Sequence, residues 1–186
     1  MRVITGIAHG RRLETLPGES TRPTSEKVKE SLFSAIQFDI EGRRVLDLFA
    51  GSGQLGIEAL SRGASGCVFV DKNTEAVQVI RRNLQHTGLS EKAQVVGAEA
   101  IMYLTRPKER FDLVFLDPPY ASGLIMPALE AVVPLVNDGG ILVCETDADA
   151  ILPEKVDRFT LTKTYRFGRI FVWLYRYTEP IEEESI

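Results

Sequence analysis

The sequence is poor in the residues that form disulfides and metal sites. Its 186 residues include two cysteines and two histidines. Cys67 and Cys144 both lie inside apolar runs, which predicts two buried thiols in strands rather than a disulfide or a metal site. Neither His9 nor His86 has another Cys or His at ligand spacing, so we expect no metal.

Long hydrophobic runs are also missing. No apolar stretch approaches the roughly 20 residues that span a bilayer. The N-terminal MRVITGIAHGRR lacks the apolar centre of a signal peptide, so we expect a cytoplasmic protein. With 44% hydrophobic and 26% charged residues, the chain has an ordinary globular composition. We expect a single domain over residues 1–178, made of an extension (1–40) and a core (41–178).

The chain has no excess of positive charge, since its formal net charge is −4. Four glutamates and no base occur in the last eight residues, EPIEEESI, which predicts a disordered acidic tail over 179–186. Residues 1–29 and 153–177 are nevertheless basic. Such patches can bind nucleic acid even when the total charge is acidic, although a solvated surface is an equal alternative from composition alone.

Short apolar runs alternate with amphipathic ones through most of the chain. The apolar runs predict five buried strands, over 43–49, 66–71, 93–97, 111–117 and 139–145. The segments after the first four strands predict helices: one ending near Arg62, one over 73–88 with Asn73 as N-cap and Gly88 as stop, a short one after 97, and one over 122–136 bent at Pro127 and Pro134. This alternation predicts an α/β fold with a parallel sheet between two layers of helices.

The two ends of the chain depart from that alternation. Residues 157–177 contain two β-rich stretches around Gly168, which predicts an antiparallel hairpin at the end of the sheet. The segment RVITG…RRLETL predicts a smaller N-terminal hairpin. TRPT then leads into a helix over 25–36.

A glycine-rich loop follows the first predicted strand. Gly51, Gly53 and Gly56 have the G-x-G-x-x-G spacing, placed where an open α/β sheet binds its ligand. Asp47 would repel the pyrophosphate of a dinucleotide and attract an ammonium or sulfonium group, and S-adenosylmethionine carries both. Capping the N–H groups of the loop is a second, compatible role for Asp47.

Acidic residues also follow the second and third predicted strands. Asp71 is placed to accept hydrogen bonds from both hydroxyls of an adenosine ribose. Glu99 would accept from an adenine amino group, or would serve as the acid at a helix N-terminus. Asp71 does not distinguish S-adenosylmethionine from NAD, and for Glu99 both roles stay open.

The fourth predicted strand ends in Asp117, Pro118, Pro119 and Tyr120. Tandem prolines hold a tight loop rigidly and have no N–H to compete with a ligand. Asp117 and the Pro118 carbonyl would accept both hydrogens of an exocyclic amine, which restores the nitrogen lone pair for attack on a methyl group. Tyr120 offers a face on which a flipped base stacks. We interpret these four residues as catalytic, acting by positioning and electrostatics.

These motifs together resemble a known family. VLDLFAGSGQLGIEALSRGA, VDKN and DPPY are similar to the motifs of S-adenosylmethionine-dependent methyltransferases that modify exocyclic amines. The N-terminal hairpin, TRPTSEKVKESLF and the C-terminal YRFGRIFVWLYRY resemble one branch, the bacterial 16S ribosomal RNA guanine-N2 methyltransferases. The resemblance covers nearly the whole chain. It implies a Rossmann-like, seven-stranded sheet of five parallel strands plus the C-terminal hairpin, with S-adenosylmethionine as cofactor.

The resemblance implies roles at the cofactor. Asp47, Gly51 and Gly53 would hold its methionine end, Asp71 its ribose and Glu99 its adenine. Many relatives have Asp at the position of Glu99, which makes the adenine contact less secure. The other residues expected at the cofactor are Arg22, Thr24, Phe49, Ala50, Ser52, Lys72, Ala100 and Asp117.

The resemblance also implies RNA contacts. Arg22 and Thr24 would line the mouth of the site, where Arg22 pairs with the cofactor carboxylate or with an RNA phosphate. Lys27 and Lys29 stand where the family tends to have Arg, so charge is kept without bidentate phosphate contacts. The expected RNA-binding residues are Arg2, Arg11, Arg12, Arg22, Lys27, Lys29, Arg166 and Arg169.

The sequence therefore predicts a monomer that methylates the N2 amine of one guanine in 16S ribosomal RNA. A small footprint on RNA favours a structured substrate, the small ribosomal subunit. Adenine-N6 methylation of DNA or RNA is the alternative enzyme. Protein glutamine methylation fits less well, because related enzymes usually have Asn in place of Asp117, and no hydride-transfer site supports an NAD oxidoreductase. A catalytically silent RNA-binding assembly factor is the alternative of another class.

Overall fold

The computed structural model describes residues 1–17, 23–105 and 109–179, with residues 23–25 described by their backbone alone. Arg22 and the predicted tail beyond Glu179 lie outside the described residues. In the described ranges, no helix has the length and apolarity that a bilayer span requires.

In the described part of the chain, eight strands form one sheet. The strands are β1 (Arg44–Asp47), β2 (Gly66–Asp71), β3 (Ala93–Gly97), β4 (Phe111–Leu116), β5 (Val136–Asp147), β6 (Lys155–Val156), β7 (Phe159–Phe167) and β8 (Ile170–Tyr177). Their order is β3-β2-β1-β4-β5-β8-β7-β6. The first five pair in parallel, and the last three are added antiparallel to β5 and to each other.

Helices cover both faces of this sheet. They are α1 (Pro23–Ala35), α2 (Gln54–Ser61), α3 (Thr74–Thr87), α4 (Ala100–Leu104) and α5 (Ile125–Val132). Successive strand residues point to opposite faces, so Val45 belongs to the core packed under α1, α2 and α3, and Leu46 to the core packed under α4 and α5. The α/β, Rossmann-like fold expected from the sequence is confirmed.

The structure confirms the predicted helix cap, helix stop and hairpin turn, and the two buried cysteines. The Asn73 side chain accepts a hydrogen bond from the Glu75 N–H at 2.9 Å and so caps α3, and Gly88 ends it with φ of 76°. The hairpin of β7 and β8 turns at Gly168, with φ of 64°. Cys67 and Cys144 are buried free thiols, as predicted.

Two element predictions are corrected. The helix expected over 122–136 ends at Val132, because Pro134 lies in a 3₁₀ turn over Val133–Leu135 that closes it. Within the described ranges, the sheet has eight strands instead of the expected seven. The extra strand, β6, has two residues, too few to show a period in the sequence, and it pairs with the start of β7.

The predicted N-terminal hairpin is present in a minimal form. Arg2 and Arg12 form a single antiparallel bridge. The Val3 N–H donates to the Arg11 carbonyl at 2.9 Å, and the Gly10 N–H donates to the Val3 carbonyl at 2.9 Å. The predicted helix over 25–36 is α1, which begins two residues earlier.

Candidate active site

A cavity of about 1320 Å³ opens at the carboxyl ends of the parallel strands. The ends of β1, β2 and β4 and the tip of the β7–β8 hairpin all contribute to its lining. Single-ligand pockets measure about 300–1,000 Å³. This cavity is therefore large enough for a cofactor together with a group of a second substrate.

The glycine loop forms one wall of the cavity. Gly51 and Gly53 adopt the left-handed region, with φ of 54° and 80°, and Gly53 is the N-cap of α2. Gly56 serves a different purpose, because a Cβ there would lie 2.3 Å from Cε1 of Phe69 on β2. The first two glycines thus shape the loop, and the third lets α2 pack closely on the sheet.

The side chains of Asp47 and Asp71 accept hydrogen bonds from main-chain N–H groups in and beside this loop. Asp47 is 1% exposed, and its Oδ2 accepts a hydrogen bond from the Gly56 N–H at 2.9 Å. The Asp71 carboxylate accepts from the Gly51 N–H at 2.9 Å and from the Asn73 N–H at 2.8 Å. The loop-capping role that was left open for Asp47 is therefore present, and both carboxylates also line the cavity.

Glu99 caps α4 through its side chain. Its Oε2 accepts a hydrogen bond from the Met102 N–H at 2.9 Å, so the helix N-terminal role is present. Glu99 also lines the cavity. A carboxylate oxygen has two lone pairs, so a cap and a ligand contact are compatible.

The cavity is strongly acidic. Among the described residues that line it, seven carry carboxylates, and Lys72 and Arg169 are the basic ones. The acidic residues are Asp47, Asp71, Glu75, Glu99, Asp117, Glu145 and Asp147. Such a lining repels a pyrophosphate and favours a ligand with positive groups and hydroxyl donors. The arrangement therefore opposes NAD, although the glycine spacing fits it.

Asp117, Pro118, Pro119 and Tyr120 face the same cavity from the end of β4. The Tyr120 ring is half-exposed. Its hydroxyl donates a hydrogen bond to Glu145 Oε1 at 3.0 Å. Burial and then the carboxylates of Glu145 and Asp117 raise the pKa of Tyr120, which keeps the phenol neutral. The segment thus presents acceptors and an aromatic face side by side.

Most of the predicted cofactor residues lie together in this cavity. Its lining includes Phe49, Ala50, Gly51, Lys72 and Ala100 in addition to the carboxylates. Ser52 and Gly53 are buried and are not among the residues that line the cavity. Thr24 is known by its backbone alone, as the second residue of α1. Arg22 lies outside the described residues.

Most of the predicted RNA-binding residues are exposed. Arg2, Arg12, Lys27 and Arg166 have exposed side chains, and Arg169 lies at the hairpin tip, in the cavity lining. Arg11 is exposed but donates to the His86 carbonyl at 2.6 Å, which ties it to the end of α3. The basic side chains thus lie on the N-terminal hairpin, α1 and the C-terminal hairpin.

The prediction that the Lys29 side chain binds RNA is wrong, because this side chain is buried. It is 2% exposed, its Nζ donates to the Arg2 carbonyl at 2.7 Å, and Nζ lies 3.4 Å from Glu58 Oε2. Glu58 is fully buried and also accepts from the Ile4 and Thr5 N–H groups and from Arg62. Glu58 in the apolar run LGIEAL was the available signal, because a buried carboxylate needs a partner.

Sequence reasoning also missed Glu145 and Asp147. Both lie on β5 and line the cavity. Burial raises the pKa of Glu145, and the hydrogen bond from Tyr120 opposes that shift. The signal was present, since Asp47, Asp71 and Asp117 were all recognised as acids at strand ends, and GGILVCE ends the fifth predicted strand in the same way.

Asn83 on α3 connects the cavity wall to the N-terminal segment. Its Oδ1 accepts from the Glu14 N–H at 2.8 Å, and its Nδ2 donates to the carbonyls of Glu14 and Ser52, each at 2.9 Å. Leu16 and Pro17, just beyond Glu14, line the cavity. One buried side chain therefore fixes both the glycine loop and the segment that faces it.

Comparison with known proteins gives close relatives. A Bacillus subtilis protein named as an rRNA methyltransferase, YlbH, is 41% identical over 181 residues, covering 95% of this chain and 98% of that protein. Ribosomal RNA small subunit methyltransferase D of Haemophilus influenzae is 35% identical, covering 95% and 93%. The Escherichia coli protein of the same name is 32% identical, covering 95% and 89%.

Solved structures show the same fold. An Escherichia coli protein named as a methyltransferase superposes with a TM-score of 0.85 at 29% identity, covering 97% of this chain and 99% of that one. A Thermus thermophilus 16S rRNA N2 G1207 methyltransferase, solved with AdoMet and guanosine, gives a TM-score of 0.71 at 23% identity, covering 88% and 45%. At that identity the second likeness supports the fold alone.

One family match covers the sheet up to the penultimate residue of β8. The sequence profile of the family described as conserved hypothetical protein 95 matches residues 1–176. That range contains the glycine loop, the Asp117–Tyr120 segment and both hairpins. The chain therefore belongs to this family, that of the ribosomal RNA small subunit methyltransferase D proteins.

Proposed function

We propose that this protein transfers a methyl group from S-adenosylmethionine to the N2 amine of one guanine in 16S ribosomal RNA, within the small ribosomal subunit. The observation that carries the proposal is the placement of Asp117, Pro118 and Tyr120 in the same acidic cavity as Asp47, Asp71 and Glu99. The former would hold an amine and the latter an adenosine cofactor. The names of the relatives support ribosomal RNA as the substrate class.

The residues of the cavity fit S-adenosylmethionine. When bound, this cofactor supplies an electrophilic methyl group on a positively charged sulfur. Asp47 would face its ammonium or sulfonium group, Asp71 would accept from the ribose hydroxyls, and Glu99 would accept from the adenine amine. Gly51 gives the backbone close access to the ligand. The acidic lining thus matches the cofactor in sign.

The amine would be held at the end of β4. The Asp117 carboxylate and the Pro118 carbonyl would accept hydrogen bonds from its two N–H groups, which shifts electron density onto the nitrogen. As the bond from the methyl group to nitrogen forms and its bond to sulfur breaks, one N–H proton would leave to the Asp117 carboxylate. Tyr120 supports the face of the base by stacking, as bases flipped out of a helix require. The two prolines keep these groups from moving, so the contribution is positioning together with electrostatic stabilisation.

The RNA would approach over the basic side chains near the mouth. Arg169 lies in the cavity lining at the tip of the β7–β8 hairpin, and Arg166 stacks on Phe171 of the same hairpin, 5.5 Å from its ring centroid. Arg2, Arg12 and Lys27 add charge from the N-terminal side. These contacts fall on phosphates, so they position the RNA without reading its sequence. Selection of one base would then depend on the shape of the subunit.

A labelled-methyl assay tests the proposal. Purified protein and methyl-labelled S-adenosylmethionine are offered small subunits that lack the modification, naked 16S RNA, duplex DNA and a protein extract, and the methylated product is identified by mass spectrometry. We expect N2-methylguanosine at one position, formed best in subunits. N6-methyladenine would move the protein to the adenine class. Equal methylation of naked RNA at the same base would overturn the subunit as substrate.

An assay in which no methyl group is transferred is interpreted through cofactor binding. The cofactor affinity of the same preparation, measured by calorimetry, serves as the control. Binding of S-adenosylmethionine without transfer to any of the four substrates would support the silent assembly factor. Absence of binding by a folded protein would contradict the cofactor assignment itself.

A further inference from the structure

We propose that Glu145 is the residue that makes this site specific for guanine, by accepting a hydrogen bond from N1–H of the target base. The inference rests on the proposed function. No role for Glu145 follows from the cofactor or from the amine contact, yet its side chain lines the cavity beside both.

The register of the sheet places Glu145 next to Asp117. Leu116 on β4 pairs in parallel with Cys144 on β5, so the following residues, Asp117 and Glu145, stand side by side. Neighbouring strands lie about 4.8 Å apart, and registered residues project to the same face. Two carboxyl groups on adjacent strands would therefore approach one base.

The hydrogen bond from Tyr120 fixes one half of the Glu145 carboxylate. Oε1 accepts from the Tyr120 hydroxyl at 3.0 Å. Among the residues that the structure describes, Oε2 has no protein hydrogen-bond partner, and the side chain lines the cavity. One oxygen is thus oriented by the tyrosine on which the base would stack, and the other is available to that base.

The edges of the two purines differ where Oε2 would act. Guanine carries a hydrogen on N1, next to the N2 amine, so this part of its edge presents two adjacent donors. Adenine has a lone pair on N1, next to its N6 amine, which a carboxylate oxygen repels. With Asp117 and Pro118 on the amine, Glu145 would accept from guanine N1–H and reject adenine. The Asp117–Tyr120 segment alone would accept guanine N2 and adenine N6 equally, and Glu145 would make the site specific for guanine.

A base analogue separates this contact from the amine contact. In 2-aminopurine the N2 amine is kept, O6 is lost, and N1 carries a lone pair instead of a hydrogen, so the comparison with a Glu145 variant assigns the rate difference to N1. Subunits are reconstituted with 16S RNA that carries guanine or 2-aminopurine at the methylated position. Wild-type protein should methylate guanine at least about 100-fold faster, because a polar site rejects an analogue that leaves its group unpaired.

Glu145→Gln is the matched variant. Its amide oxygen still accepts from Tyr120, while the amide nitrogen can now donate to N1 of 2-aminopurine. We expect the guanine to 2-aminopurine ratio to fall by about tenfold or more. Asp147→Asn, which neutralises another carboxylate of β5 in the same cavity, should keep the wild-type ratio.

Each outcome decides something different. A wild-type protein that methylates both bases at equal rates overturns the inference, whether or not the variant folds. An unchanged ratio in folded Glu145→Gln also overturns it, while N2-methylguanosine formed by the wild type would leave the proposed function standing. If the wild type forms no N2-methylguanosine on the guanine subunits, both the proposed function and the inference fall.

Discussion

Asn83 holds Glu14 through two main-chain hydrogen bonds, and its amide also donates to the carbonyl of Ser52 in the glycine loop. Asn83 is 2% exposed, so these bonds are shielded from water. The N-terminal segment and the cofactor loop are therefore fixed by the same side chain, and a change at Asn83 is felt by both.

Replacing Asn83 with alanine should lower the affinity for S-adenosylmethionine by about tenfold, because the loop and the facing wall lose their common support. The free energy of unfolding should fall by about 2 kcal/mol, since buried polar groups lose partners. Calorimetry and denaturant unfolding measure the two effects. Arg82→Ala is the control, because its ion pair with Glu14 is half-exposed on both sides and should contribute little.

The third glycine of the loop should be required for packing rather than for ligand contact. Gly56→Ala places a Cβ 2.3 Å from Cε1 of Phe69 and 2.7 Å from Sγ of Cys67. We expect destabilisation of about 3 kcal/mol. Gly97→Ala, whose Cβ would meet Val77 at 3.6 Å, should change stability by less than about 0.5 kcal/mol. Equal melting temperatures for the two variants would contradict the packing role.

Lys29 and Lys27 should separate stability from RNA binding. Lys29→Met removes the cation beside buried Glu58 and should cost about 3 kcal/mol, with no change in the salt dependence of RNA affinity. Lys27→Ala, at an exposed position, should leave stability unchanged and reduce the slope of log affinity against log salt by about 0.7–0.9. If Lys29→Met instead reduced the salt dependence of RNA affinity and left stability unchanged, Lys29 would be an RNA-binding residue after all.

The raised pKa of Glu145 gives a stability prediction with a definite sign. Burial raises this pKa in the folded protein, so between the ordinary value of 4.5 and the raised value the folded state binds more protons than the unfolded state. The wild type should therefore lose stability relative to Glu145→Gln as the pH rises through that window. Below it the two proteins should differ least. The free energy of unfolding of both proteins, measured from pH 4 to pH 8, checks this. A wild type that becomes more stable relative to the variant as the pH rises would show that the pKa of Glu145 is lowered instead.

The sequence was sufficient for most of the fold. Asn73, Gly88 and Gly168 act locally, through a cap, a stop and a turn, so their signals are visible without tertiary context. β6 was missed because two residues carry no period. α5 ended early because Pro134 affects a helix that also has a strong apolar pattern, and the sequence does not show which effect dominates.

The candidate site was predictable in the parts that lie at strand ends. Asp47, Asp71 and Asp117 follow apolar runs, and the parallel topology brings such residues to one edge. Lys29 was misread because burial of a lysine depends on a carboxylate 29 residues later in the chain. The role of Asn83 could not be predicted for a similar reason, since its hydrogen-bond partners come from the N-terminal segment and from the glycine loop.

The most direct test of the central claim is the paired measurement of methyl transfer and cofactor binding in Asp117→Ala. The claim places Asp117 on the target amine, so transfer of the labelled methyl group to small subunits should fall by about 10²–10³-fold, the loss expected for one electrostatic group at a reacting centre. The affinity for S-adenosylmethionine should stay within about threefold of the wild type, since other carboxylates hold the cofactor. A variant that transfers at the wild-type rate would contradict the claim, and so would one that loses transfer only because it no longer binds the cofactor.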